Sequence, residues 1–323
     1  MLAVQDLQVS FGAAGRRATA LEGISLAINR GEVLALVGES GSGKSLTALA
    51  VMGLLPPAAS VDTGQIVLDG ADLLRLSRDK MVHTRGRRVS MVFQEPMTSL
   101  NPVLTIGRQL TEGLEFHLGY DRHRARARAV ELLGLVGITA PERRLGEYPH
   151  QFSGGMRQRV MIAMAIACEP GLIIADEPTT ALDVSVQAQI IDLLLDIRER
   201  LGTALLLITH DLGVVAELAD RVAVLYAGRL VEAAPAALLF DRPRHPYTKG
   251  LLDAVPRLDE LAGDARPHRL TELGGSVPGL GERPPGCPFF GRCDRAVERC
   301  PGEMPPMAPT GEGGLVACWN RLP

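Results

Sequence analysis

The stretch Gly38-Glu39-Ser40-Gly41-Ser42-Gly43-Lys44-Ser45 constrains this chain more than any other. It fits G-x-x-x-x-G-K-[ST], the pattern of a loop that wraps phosphates. The apolar run Val33 to Val37 precedes it and reads as a buried strand, and Leu46 to Met52 follows as the opening turns of a helix. That order of strand, loop and helix is the context the motif needs. Glycines let the backbone close on a phosphate chain while N–H groups and the helix N-terminus point inward. Lys44 then reaches the β- and γ-phosphates, and the Ser45 hydroxyl holds Mg²⁺. Of 34 basic residues only Lys44, Lys80 and Lys249 are lysines. A chain that otherwise uses arginine has a compact ammonium where a phosphate loop wants a point charge. The expectation is a nucleoside triphosphate site.

At 323 residues the chain has room for two domains, or for one large domain with an extension. A net charge of −3 gives no global field to recruit nucleic acid or acidic lipid. Apolar runs such as Val160 to Cys168 fall far short of the about 20 residues that span a bilayer. The N-terminus shows no signal-peptide pattern, so the chain is expected in the cytosol, with docking on a membrane partner left open.

Other candidate residues sit where strands end. Val4–Phe11, Leu21–Ile28 and Glu32–Val37 read as strands of a β-rich N-terminal part, and Phe11 is either a purine-stacking ring or a partly buried strand aromatic. Val89–Phe93 runs into Gln94, whose amide suits Mg²⁺ or a water, though taken alone it reads more readily as a solvated loop residue. From Thr105 to about Pro170 the character is helical; Arg122, Arg124, Arg126 and Arg128 scatter around their helix as a solvated face. Ser153-Gly154-Gly155-Met156 opens an apolar helix that includes Gln158; its N-cap serine and glycines offer a second anion site beside a phosphate loop, where alone they would read as a plain helix cap. Leu172–Ala175 ends in Asp176-Glu177, placing a Mg²⁺ ligand and a water-polarising base at the sheet edge. Asp183 precedes the next helix, and the strand Leu205–Ile208 leads to His210, which at a strand end could bond a γ-phosphate, although a lone histidine is usually structural.

Together these residues strongly resemble the nucleotide-binding subunits of ABC transporters. The resemblance covers about residues 1–235, with a helical subdomain at about 97–170, and implies an α/β fold: a P-loop ATPase core with a β-rich N-terminal subdomain. It makes Phe11 the adenine-stacking residue, Gly38–Ser45 the Walker A loop and Gln94 the Q-loop. Ser153, Gly154, Gly155, Met156 and Gln158 become the signature segment, Asp176 and Glu177 the end of Walker B, Asp183 the D-loop and His210 the H-loop. Phe152 and Met156 depart from the family's usual leucine and glutamine. One set of motifs implies a second ATPase subunit, so that ATP lies between Walker A of one and the signature of the other. Two transmembrane permease subunits and an extracytoplasmic binding protein follow, with the chain peripheral on the cytoplasmic face of the membrane and no nucleic-acid partner.

Residues 236–323 read as a loop-rich extension. Arg244-His245-Pro246-Tyr247 to Leu252 resembles the C-terminal extension of dipeptide and oligopeptide importer ATPases, which points to peptide import. Nickel-chelate or other small-solute import is the alternative within the class, and a soluble ABC ATPase of nucleic-acid repair or translation the alternative outside it. Four of five cysteines, Cys287, Cys293, Cys300 and Cys318, lie in this Pro- and Gly-rich tail. Related subunits imply a [4Fe–4S] cluster there; zinc, or free thiols and disulfides, remain open.

Overall fold

The computed structural model describes residues 1–12, 17–180, 182–255 and 273–323. The N-terminal strands β1 (Leu2–Phe11) and β2 (Ala18–Ile28) pair antiparallel, β3 (Val33–Val37) leaves them, and α1 (Lys44–Met52) follows the phosphate loop. Then β4 (Ala59–Leu68) and β5 (Ala71–Asp72) complete a four-stranded antiparallel sheet in the order β2-β1-β4-β5. Asp69 and Gly70 both take positive φ in the β4–β5 connection (45° and 80°), as a tight twisted hairpin turn requires.

Next come α2 (Arg78–Thr84), β6 (Val89–Val92) and the helical stretch. That stretch holds α3 (Pro96–Ser99), α4 (Ile106–Leu118), α5 (Arg122–Leu135), α6 (Pro141–Arg144) and α7 (Gly154–Ile166). The chain returns through β7 (Leu172–Asp176), α8 (Val184–Leu201), β8 (Ala204–Ile208), α9 (Leu212–Leu218), β9 (Arg221–Tyr226) and β10 (Arg229–Pro235). The tail adds α10 (Ala236–Asp241), α11 (Pro246–Asp253), β11 (Ala308–Pro309) and β12 (Leu315–Val316).

The second sheet has eight strands in the order β11-β12-β10-β9-β3-β8-β7-β6, and the five from β9 to β6 are parallel. Their near-continuous apolar sequences suit a sheet covered on both faces. Alternation then splits β7 and β8 between two cores. Ile173, Ala175, Leu205 and Leu207 pack among the helices α4 to α8, while Leu172, Ile174, Leu206 and Ile208 face α1 and the antiparallel sheet.

The tail builds no large core of its own but extends the main sheet, with Glu232 and Ala233 of β10 in register with Val316 and Leu315 of β12. Phe289 packs against Tyr226 and Tyr247, with centroids 5.2 and 5.3 Å apart. Residues 244–247 show how the tail is anchored. Buried Glu232 accepts the N–H groups of Arg244 (2.7 Å) and His245 (2.8 Å). His245 Nδ1 then accepts the Tyr247 N–H at 3.0 Å as the N-cap of α11, with Pro246 opening the helix.

His245 is 1% exposed, and burial pushes its pKa from 6.5 down to about 3. Between those values the unfolded chain binds a proton that the folded chain refuses, so stability is full above the upper value and falls on acidification. From pH 7 to pH 5 this group removes about 2 kcal/mol of folding stability. Denaturant unfolding at both pH values checks this against His245→Asn, which keeps an acceptor for the Tyr247 N–H. The variant should lose less on acidification than the native chain; equal losses would contradict the assignment.

Candidate functional site

Parallel strands bring their C-terminal ends to one edge, and the polar residues there arrive by topology. β6 leads to Gln94, β7 to Asp176 and Glu177, β8 to His210, and β3 to the phosphate loop. In the register, Asp176 stands beside Ile208 and Ala175 beside Val92.

The loop closes tightly on the sheet. At Gly38 an added Cβ would lie 2.2 Å from the Leu225 carbonyl oxygen, so no side chain fits. Lys44 is 5% exposed and donates to the carbonyls of Gly38 (2.7 Å) and Glu39 (3.1 Å). Burial lowers its pKa, opposed by Glu177, Asp176 and Glu39. Ser45 donates to Asp176 Oδ1 at 2.9 Å across 131 residues of sequence. Burial raises the Asp176 pKa, and the Ser45 hydrogen bond works against that.

Glu177 has a φ of 46°, a backbone state that non-glycine residues rarely adopt and that clusters at functional sites. Its carboxylate is held from three sides. Gln94 Nε2 and Thr180 Oγ1 each donate to Oε2 at 2.9 Å, and His210 Nδ1 lies 3.3 Å from Oε1. Gln94 thus joins Glu177 instead of Ser45 and Asp176. A cavity of about 340 Å³ opens over this edge, lined by Phe11, Gly43, Lys44, Ser45, Gln94 and Glu177 among others.

Ser153, Gly154, Gly155, Met156 and Gln158 do not line that cavity. Ser153 caps α7, its Oγ accepting the Met156 N–H at 3.3 Å, and Gln158 is 2% exposed. Asp183 caps α8: its carboxylate accepts from Ser185 Oγ (2.6 Å) and the Val186 N–H (3.0 Å), which hold its pKa down. Ala181, two residues before it, lies outside the described residues.

Two tail residues absent from the sequence reading of the site grip the loop. Tyr247 Oη accepts the Glu39 N–H at 2.8 Å. Arg292 forks onto the Glu39 carboxylate at 2.6 and 2.9 Å and also donates to Tyr226 Oη at 3.2 Å. Glu39 raises the pKa of this guanidinium further.

The tail cysteines Cys287, Cys293, Cys300 and Cys318 are all free thiols. Burial pushes Cys287 up to about 11 and raises Cys293 and Cys318. Among the described residues no three His, Cys, Asp or Glu side chains are placed to hold a metal ion. The metal centre expected at these four cysteines therefore has no ligand geometry here.

The sequence profile of the ABC transporter family matches residues 21–180, and that of the oligopeptide/dipeptide transporter C-terminal region matches residues 231–300. The dipeptide transport ATP-binding protein DppD of Bacillus subtilis (strain 168) is 49% identical over 320 residues, 99% of this chain and 94% of the relative. This chain belongs to the ATP-binding subunits of oligopeptide/dipeptide ABC transporters. The oligopeptide transport ATP-binding protein OppD of the same organism is 48% identical over 324 residues, 100% of this chain and 89% of the relative. Among solved structures, a dimeric post-hydrolysis state of the ATP-binding cassette MJ0796 bound to ADP and Pi aligns with a TM-score of 0.65 at 29% identity. That alignment covers 73% of this chain and 99% of the cassette. As a member of this family the ABC subunit is an ATPase coupled to transport, built on the α/β cassette fold.

Proposed function

We propose that this ABC subunit hydrolyses ATP in the cavity over Lys44 and Glu177 to drive uptake of dipeptides or oligopeptides. The observation that carries the reading is one chain holding both the phosphate-loop cavity and a tail of the oligopeptide/dipeptide type, joined at Glu39. Gly38 to Ser45 wrap the phosphates, Phe11 stacks on adenine, and Lys44 turns from its carbonyl partners to the β- and γ-phosphates. Ser45 and Asp176 offer hard oxygen donors 2.9 Å apart that suit Mg²⁺, with Gln94 as a third ligand. Bound there, the ion neutralises charge on the phosphate oxygens. Glu177 polarises the attacking water, and His210 donates to the γ-phosphate. Ser153, Gly154, Gly155, Met156 and Gln158 face the ATP held by a second ATPase subunit, a heterodimer partner, and Asp183 lies at that junction.

Two permease subunits complete the transporter, fed by an extracytoplasmic peptide-binding protein, with this chain on the cytoplasmic face of the membrane. Support comes from the surface beyond Gln94, where Met97 is 64% and Val103 76% exposed. Nearby, Val82, Phe116 and His117 line a cleft of about 740 Å³. Among the described residues no helix is long and apolar enough to cross a membrane. The test is ATPase activity of the assembled transporter in proteoliposomes. Stimulation by di- or oligopeptides is expected; stimulation by nickel chelates alone, or by no solute, would contradict the reading.

For the tail we propose a [4Fe–4S] cluster at Cys287, Cys293, Cys300 and Cys318, supported by the donor set alone: four free thiols in a loop-rich segment. Anaerobic purification with iron, sulfide and zinc analysis checks it. Iron and sulfide support it, and zinc or no metal overturns it.

A further inference from the structure

The cavity over the phosphate loop has a wall that the ATPase motifs do not supply. Leu280 and Arg283 of the tail line it together with Phe11, Lys44 and Ser45. Arg283 is held from behind, donating through Nη2 to the Ala20 carbonyl at 2.7 Å. It packs on the β9–β10 turn, where an added Cβ at Gly228 would lie 1.9 Å from the Ala20 oxygen and 2.6 Å from Nη2. That contact keeps the turn free of any side chain.

The guanidinium is poorly compensated. Its side chain is 12% exposed, yet Nε and Nη1 have no hydrogen-bond partner among the described residues. The carboxylate of Glu22 stands 4.0 Å from Nη1 and is shared with Arg229. Burial lowers the Arg283 pKa. A buried donor without an acceptor costs about 1–3 kcal/mol, more when charged, and Nε and Nη1 are enclosed, so an anion in the cavity that Arg283 lines would offset its positive charge across the wall. Leu280 is 50% exposed at the same wall, an apolar side chain turned to the opening instead of the core. The segment is not free to drift, because Arg292 ties the carbonyls of Leu273 (3.2 Å) and Gly274 (2.8 Å) to Glu39 of the loop.

We propose that the tail completes the nucleotide site: Arg283 sets its guanidinium charge against sugar–phosphate oxygens of the bound nucleotide, and Leu280 covers its apolar part. This rests on the reading of the cavity as an ATP site. It makes the tail a determinant of nucleotide affinity and not only an extension of the sheet.

The test is equilibrium binding of ATP, ADP, AMP and adenosine to the full-length chain, read by displacement of a fluorescent ATP analogue. Arg283→Gln should weaken ATP, ADP and AMP by about tenfold, the size of one charge interaction across the wall. Unchanged adenosine binding places Arg283 on the α-phosphate, and adenosine weakened equally places it on the ribose; both support the proposal. Leu280→Ser should weaken all four compounds, and because its side chain is half exposed it tests the wall even where Arg283→Gln fails to fold. Native affinities in both variants, with Lys44→Ala still weakened, overturn the tail's role while leaving the ATP site standing. Failure of the native chain to bind ATP overturns both.

Discussion

A Glu177→Gln chain should bind ATP with native affinity and hydrolyse it about 10²–10⁴ times more slowly, the range lost when a positioned general base is removed. The substitution is close to isosteric, so the hydrogen bonds that hold the side chain persist in part. The glutamine oxygen still accepts from Gln94 and Thr180, which now stand 2.9 Å from Oε2. What disappears is the negative charge and its capacity to take a proton from water. The phosphate loop and Lys44 are untouched, so binding survives. Single-turnover hydrolysis set beside equilibrium ATP binding separates the two, and a native hydrolysis rate would remove Glu177 from the chemistry.

Lys44→Ala should instead weaken ATP by about 10- to 100-fold, because a charged donor to phosphate is worth about 1.5–3 kcal/mol. Lys44→Arg should not restore it. The ammonium sits 5% exposed within 2.7 Å of the Gly38 carbonyl, in space cut for a compact point charge and not a planar fork. Removing the lysine also leaves Asp176, Glu177 and Glu39 without the cation they face, so some loss of thermal stability should accompany the loss of affinity. Titration with labelled ATP, with melting as a control, checks both; native affinity in Lys44→Ala would contradict the assignment.

The loop, Asp176, Glu177, Gln94 and His210 could be read from sequence for one physical reason. Each ends or follows a short apolar run, and in a parallel sheet such runs finish at the same edge. What the sequence does not state is the strand order. The placement of β8 between β3 and β7, with β6 beyond, is what lets Gln94 and His210 meet the same carboxylate. Thr180 was within reach, three residues past the glutamate it bonds, but a lone threonine carries no pattern.

The tail's share of the site was out of reach for a different reason. Tyr247 bonds Glu39 across 208 residues, Arg292 across 253, and Arg283 bonds Ala20 across 263. No periodicity encodes contacts of that span, and an arginine among 34 basic residues offers nothing to single it out. Sequence did mark Arg244 to Tyr247 as a family feature. Its work as an anchor, through Glu232, the His245 cap and the Tyr247 hydroxyl, emerges only from the packing.

The most direct test of the central claim is a crystal structure of Glu177→Gln with ATP and Mg²⁺. A triphosphate wrapped by residues 38–45, adenine on Phe11, and Mg²⁺ held by Ser45 and Asp176 are expected. Nucleotide bound elsewhere, or a cavity left empty at saturating ATP, would contradict it.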